Sequence, residues 1–473
     1  MTLHSAVTRH VAESPRGPKV AAFFDLDRTL VAGFSANAFF RERLLSGRMS
    51  PRELGESLLG ALNFAAGRTG FSGLMAATTA AYRGLAESVL EELGQEVFLK
   101  HLATQIYPES RALVRAHRER GHTVAIVSSA TPYQIQPAAR DLGIDHVLCT
   151  RLEVEGGIFT GRVLQPTCWG EGKATAARDF ASGREVDLTQ SYFYTDSADD
   201  LPLLEAVGNP RPLNPDRRLT AISADRGWPT RRFESRGTPS ALDLLRTGLA
   251  YGSAVPSALT GVAAGLLNSS RRQAVNLMMS SFGELGTAAA GIDLQVEGEE
   301  HLWSHRPAVF IFNHQSGADA LLIMKLLRRD VVGIAKQEVR ANPLFGPLFA
   351  AAGTVFIDRA HRSRAIEALR PAVDALERGF SIAIAPEGTR SLTPHLGRFK
   401  KGAFHIAMQA KVPIVPIVFH NALDALPKGG VVVRPATVEA VVLPPIPTSG
   451  WTRAGLDEEI TRIRERYLEV LGS

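Results

Sequence analysis

From Val20 to about Gly208 short apolar runs, among them VAAFFDLD, TVAIVSSA and SYFYTDS, alternate with stretches of helical spacing. Strand, helix, strand repetition of this kind predicts an α/β domain built on a doubly wound parallel sheet. Between the first two runs lies an insertion, about residues 33–105, rich in Leu, Ala and Glu at helical spacing, which predicts a small helical cap. The alternation resumes from Leu294: AVFIFNH, TVFIDR, SIAIAPEG and VPIVPIVF read as strands, and RSRAIEALRPAVDALERG as an amphipathic helix between two of them. A second α/β domain is predicted there.

The stretch joining the two regions has a different texture. Residues 209–239 are dense in Pro, Arg and Gly and read as a domain exit and linker. Thr247–Ser270 carries no charge over 24 residues, long enough to cross a bilayer, yet it contains Pro256 and several glycines and serines. Gly248 with Gly252, and Gly261 with Gly265, have the small-xxx-small spacing that permits close helix packing in lipid or in protein. Insertion in the membrane and an interfacial or protein-packed position both stay open. The predicted division is 19–233, a linker with membrane-docking helices over 234–290, and 291–473.

At 473 residues the chain exceeds what one core usually supports, and 45% apolar with 21% charged residues is a globular composition. Lys and Arg number 53 against 48 acidic residues, a net charge of +5 that suits anionic substrates and an anionic membrane surface. No dense basic run interleaved with aromatics supports nucleic-acid binding. Cys149 and Cys168 form no CxxC pair or disulfide framework, which points to a reducing compartment. The first residues lack a continuous apolar segment and a cleavage site, so no secretory leader is expected and membrane contact would come from the cytoplasmic face, peripheral or shallowly inserted.

Chemistry concentrates at strand ends. The run AAFF gives way to Asp25, Leu26, Asp27, Arg28 and Thr29, and ligands of doubly wound sheets bind at such carboxyl ends. One carboxylate can attack phosphorus while the other exchanges a proton with the leaving oxygen. Ser128 ends the next strand, Lys173 stands at a helix start in GEGKATA, and Asp196 and Asp200 follow SYFYT, a pairing that suits Mg2+. This order resembles the haloacid dehalogenase-like phosphatases, and VGNPRPLNPDRRLTAISADRGWP resembles the tail of their phosphoserine-phosphatase-like subgroup. The resemblance implies a Rossmann-like fold, Asp25 as nucleophile, Asp27 as acid and base, and Ser128 and Lys173 as phosphate holders. It further implies Mg2+ held at Asp25, Asp27, Asp196 and Asp200. The sequence departs from the commonest pattern at Arg28 and Thr195, where relatives often carry glycine.

In the second domain AVFIF is followed by NHQSGADA, which sets His314 five residues before Asp319. A histidine oriented by a carboxylate can take a proton from an alcohol attacking a thioester. Downstream stand Gly353, Asp358 and Arg359, then Pro386, Glu387, Gly388, Thr389 and Arg390, then Lys400, Lys401 and Gly402. Arginines there can grip phosphate bidentately. These blocks resemble the PlsC-like glycerophospholipid acyltransferases over about Leu294 to Leu443. The resemblance implies His314 as general base on the sn-2 hydroxyl of lysophosphatidic acid or a related glycerophospholipid, with Asp319 orienting it. Arg359, Glu387, Gly388, Thr389 and Arg390 would hold the glycerol phosphate, and the donor would be acyl-CoA or acyl carrier protein. Two alternatives remain: an acyltransferase whose phosphatase-like half is regulatory, and a phosphatase with a lipid-binding C-terminal module.

Overall fold

Four apolar residues, AAFF, form β1 (Ala21–Phe24), and every one of them is fully buried. Such a strand has no solvent face and belongs at the centre of a sheet covered on both sides. The computed structural model, which describes residues 3–49, 51–341, 345–357 and 369–472, places it there. β2 (Thr123–Ser128), β3 (His146–Cys149), β6 (Tyr192–Thr195) and β7 (Asn209–Pro212) complete a five-stranded, wholly parallel sheet in the order β3-β2-β1-β6-β7. An antiparallel hairpin of β4 (Leu152–Glu155) and β5 (Ile158–Val163) stands apart from it. Phe23, Ala125, Val127 and Phe193 on one face pack against Ala174, Ala177, Leu203, Leu204 and Leu219. Burial of a large apolar side chain of this kind stabilises by about 1.5–3 kcal/mol. Helices Ser35–Leu45, Pro51–Ala65, Phe71–Ala80 and Glu87–Val97 fill the insertion between β1 and β2.

The end of this unit turns back on its own first loop. Asn214 donates from its backbone to Arg231 O at 2.7 Å, and its side-chain oxygen accepts from Phe233 N at 2.6 Å. The Phe233 ring meets Tyr107 edge-on at 5.5 Å, and Ser235 donates to Glu109. Residues 231–235 thus form a strap tied to the Asn214 turn and to the start of the helix Pro108–Glu119.

The chain divides into two compact units, Met1–Thr238 and Pro239–Ser473. The second holds a seven-stranded sheet formed by β8 (Ile292–Glu297), β9 (Val309–Phe312), β10 (Val331–Lys336), β11 (Val355–Ile357), β12 (Ser381–Ile384), β13 (Ile414–Phe419) and β14 (Ala436–Val442). Their order is β11-β10-β12-β9-β13-β14-β8, parallel except between β13 and β14. The helix Asp319–Leu327 (DALLIMKLL) buries most of its length against this sheet, as its near-continuous apolar sequence requires.

Helices Ala241–Gly252 and Ala254–Asn268 lead into the unit, and together they are long and apolar enough to cross a membrane, with a mean hydropathy of 1.2. One face is packed: a Cβ added at Gly261 would lie 2.8 Å from Ala274 O and from Met278 Cβ, so only glycine allows the helix Arg271–Ala290 so close. The other face leaves Leu245, Leu249, Val255, Leu259, Val262, Leu266 and Leu267 exposed. An apolar surface of this extent marks an interaction site.

Candidate active sites

In the first unit Asp25 follows β1 and Asp196 follows β6, adjacent strands whose parallel pairing brings both carboxylates to one edge. Lys173, in the first turn of the helix Glu171–Ser182 and almost wholly buried, donates to Asp25 Oδ1 at 3.0 Å and to Asp200 Oδ2 at 2.8 Å. Thr195 Oγ1 also donates to Asp200 Oδ2. That explains one departure from the family pattern, because glycine would leave the carboxylate without this donor. Asp196 pairs with Arg28 at 3.1 Å. Ser128 is buried at the end of β2, where its hydroxyl accepts from Ala130 N at 3.3 Å.

Burial dominates the electrostatics. It raises the Asp25 carboxyl above its ordinary range, against the opposing pull of Lys173. Burial and then the Asp25 charge push Asp27 up to about 7 and Asp196 up to about 8. For Lys173 burial alone would lower the pKa, but Asp200 and Asp25 outweigh it and hold the ammonium above its usual value. The four carboxyl groups Asp25, Asp27, Asp196 and Asp200 share the pocket with two cations, Lys173 and Arg28. That excess of negative charge fits a divalent, oxygen-seeking cation, which would return the raised carboxyls to carboxylates. Among the described residues no three acidic, histidine or cysteine side chains converge as a ready-made cage. Mg2+ needs none, because it keeps several waters and completes its shell with phosphate oxygens.

Asp27, expected among the cation ligands, is also tied to the neighbouring helix start. Its Oδ1 accepts from Ser35 N at 2.7 Å and its Oδ2 from Ser35 Oγ at 3.1 Å, so both oxygens serve the start of the helix Ser35–Leu45.

In the second unit β9 ends in Asn313, whose amide donates to Phe419 O at 2.8 Å and accepts from Phe419 N at 2.7 Å, tying the ends of β9 and β13 together. His314 follows. Its Nδ1 lies 2.7 Å from Asp319 Oδ2, and the same oxygen accepts the N–H groups of Gln315 and Ser316, each at 3.0 Å. Asp319 is 1% exposed and opens its helix, so the carboxylate is fixed by the turn it caps while the imidazole stays partly open. With Nδ1 committed, Nε2 is the nitrogen that can receive a proton from a substrate.

Glu387 clamps this loop. Its Oε1 accepts from His314 N at 2.7 Å and its Oε2 from Gly397 N at 2.8 Å, while burial raises its carboxyl and those N–H groups oppose the rise. Glu387, expected at the glycerol phosphate, thus also ties the His314 turn to Gly397 through both oxygens. Gly388 makes the turn with φ +72°, Thr389 is exposed, and a Cβ at Gly317 would lie 3.2 Å from Arg390 Nη1. The Arg390 guanidinium therefore rests against the turn between His314 and Asp319. Asp358 and Arg359 lie outside the described residues. Gln315, Ser316, Asn313 and Ser35 escape sequence reading because they act through backbone N–H groups or ordinary amide and hydroxyl side chains, with no spacing to mark them.

Residues 22–205 match the haloacid dehalogenase-like hydrolase family and residues 293–420 the acyltransferase family. A 1-acyl-sn-glycerol-3-phosphate acyltransferase of Limnanthes douglasii is 37% identical over 197 residues, which is 41% of this chain and 69% of the relative. A phosphoserine phosphatase of Mycobacterium tuberculosis is 34% identical over 252 residues, 50% of this chain and 82% of its own. Among solved structures, the 1-acyl-sn-glycerophosphate acyltransferase PlsC of Thermotoga maritima is 27% identical, covering 49% of this chain and 96% of that one with a TM-score of 0.42.

Proposed function

Because the chain belongs to the haloacid dehalogenase-like hydrolases through its first unit and to the acyltransferases through its second, we propose that it is a bifunctional enzyme of phospholipid synthesis. The second unit transfers an acyl group from acyl-CoA or acyl carrier protein to the sn-2 hydroxyl of lysophosphatidic acid, giving phosphatidic acid. The first hydrolyses a phosphomonoester through an aspartyl-phosphate. Phosphatidic acid as that phosphomonoester would make diacylglycerol the final product.

The observation that carries this reading is the 2.7 Å contact between His314 and Asp319, with Asp319 locked by two further N–H donors. His314 Nε2 takes the hydroxyl proton as the oxygen attacks the thioester carbon, and returns it to the departing thiolate. Asp319 holds the ring and stabilises the imidazolium. Arg390, beside the same turn, supplies a cation for the acceptor's phosphate.

In the first unit Asp25 attacks phosphorus, and Asp27, pushed up to about 7, gives its proton to the leaving oxygen and then takes one from the hydrolytic water. Lys173 keeps the nucleophile aimed and offsets charge on the phosphoryl oxygens. Bound Mg2+, held by Asp25, Asp196 and Asp200, would neutralise further charge there. The exposed leucines of residues 241–268 support peripheral docking at the cytoplasmic face of the membrane, where the acceptor resides.

Full-length protein incubated with lysophosphatidic acid, oleoyl-CoA and Mg2+, with lipid products identified by mass spectrometry, tests the proposal. Diacylglycerol is expected from the wild type, phosphatidic acid from Asp25→Asn, and neither from His314→Ala. Phosphatidic acid alone from the wild type would send the first unit's substrate elsewhere, and no acylation would overturn the reading of the second unit.

A further inference from the structure

Arg28 has a backbone φ of +56°, in the left-handed region that glycine enters without strain and arginine does not. The turn is enforced from both sides: Arg28 N donates to Gly33 O at 3.1 Å, and Arg28 O accepts from Asn214 Nδ2 at 2.8 Å. A glycine would meet those backbone bonds equally well, so the side chain must account for arginine. Its Nη1 lies 3.1 Å from Asp196 Oδ2, its Nη2 lies 3.4 Å from Asn214 O, and its Cζ sits 5.9 Å from the Phe34 ring centroid.

The two cations of the pocket are not equivalent. Lys173 has a side chain 4% exposed and is bonded to two carboxylates, whereas the Arg28 side chain is 37% exposed and pairs with one. An arriving dication meets a fixed ammonium at Asp25 and Asp200 and a guanidinium with an open path to water at Asp196. Resting on the reading that Mg2+ serves this site, we propose that Arg28 is a resident counter-ion and positioning residue. It keeps Asp196 aimed into the pocket when no cation is bound and swings out as Mg2+ takes its place. The exchange sets cation affinity below what the carboxylates alone would give, because each binding event must displace a paired positive charge.

Isothermal titration calorimetry of Mg2+ into full-length wild type, Arg28→Gly and Arg28→Asn tests this, with Asp196→Asn as the control that assigns the heat to the site. Both neutral replacements tolerate the left-handed turn. They should bind Mg2+ about tenfold more tightly than wild type, the scale of one half-exposed charge beside a buried carboxylate. Thermal melting of the cation-free proteins reports whether each variant is folded, and should rise or hold while the affinity changes. Equal or weaker Mg2+ binding by a folded neutral variant overturns the role of Arg28 and leaves the Mg2+ site standing. Heat absent from the wild type and from every variant overturns the Mg2+ reading and the counter-ion role together.

Discussion

Asp319 spends one oxygen on three donors while its other oxygen, also buried, has no partner among the described residues. An amide at that position keeps the shape and loses the charge that stabilises imidazolium. Asp319→Asn should lower the turnover of acyl transfer by about 10³–10⁴-fold, by analogy with the serine-protease triad. Initial rates with lysophosphatidic acid and oleoyl-CoA check this, and an unchanged melting transition of residues 239–473 excludes unfolding. In the other site burial pushes the Asp27 and Asp196 carboxyls up to about 7 and about 8. A carboxyl whose folded pKa is raised binds its proton more tightly in the fold than in the unfolded chain. Its contribution is complete below the unfolded value and is lost as pH rises through the folded one. Mg2+-free protein should therefore lose melting temperature progressively between about pH 4 and pH 8, and saturating Mg2+ should restore it. A flat profile would contradict the burial of these groups. The sequence marked these carboxylates because Asp-x-Asp and Asp-x3-Asp at strand ends have few other uses. It did not mark the direction of Asp27, since Ser35 lies eight residues away across a turn whose course local spacing does not encode.

At the scale of elements, β1, β2 and β6 of the first sheet and β9, β11, β12 and β13 of the second were legible from short apolar runs, because parallel strands buried on both faces carry little else. The strands β3, β7, β8, β10 and β14 were not, and β7 with its Pro and Arg residues was read as linker. The insertion was legible as helical from its periodicity. The packing of residues 241–268 was not, because a segment without charges has no polar face to orient it. Close approach at Gly261 settles which side meets the helix Arg271–Ala290, and leaves the leucine side outward. Replacing Leu259 and Leu266 by Ser should weaken binding of the protein to anionic phospholipid vesicles, read by flotation, by about a hundredfold or more, each losing apolar burial worth roughly 1.5–3 kcal/mol. Acyl transfer to a lysolipid in detergent should persist. Unchanged flotation would take these helices out of the membrane contact.

At the scale of the molecule, each unit has a core of its own, one centred on Phe23 and Phe193 and the other on Phe310 and Phe419. Residues 1–238 expressed alone should melt cooperatively and hydrolyse p-nitrophenyl phosphate within about twofold of the full chain, as expected of an autonomous domain. A loss of more than tenfold would mean that the first site depends on the second unit. The strap over Asn214 also bears on where such a gene can be cut and spliced. The family match ends at residue 205, yet Asn214 joins Arg231 and Phe233 to the carbonyl of Arg28. A graft made at the end of that match would discard the brace on the catalytic turn, whereas a seam beyond Gly237 keeps it, so the working border of this enzyme lies some thirty residues past the end of the family match.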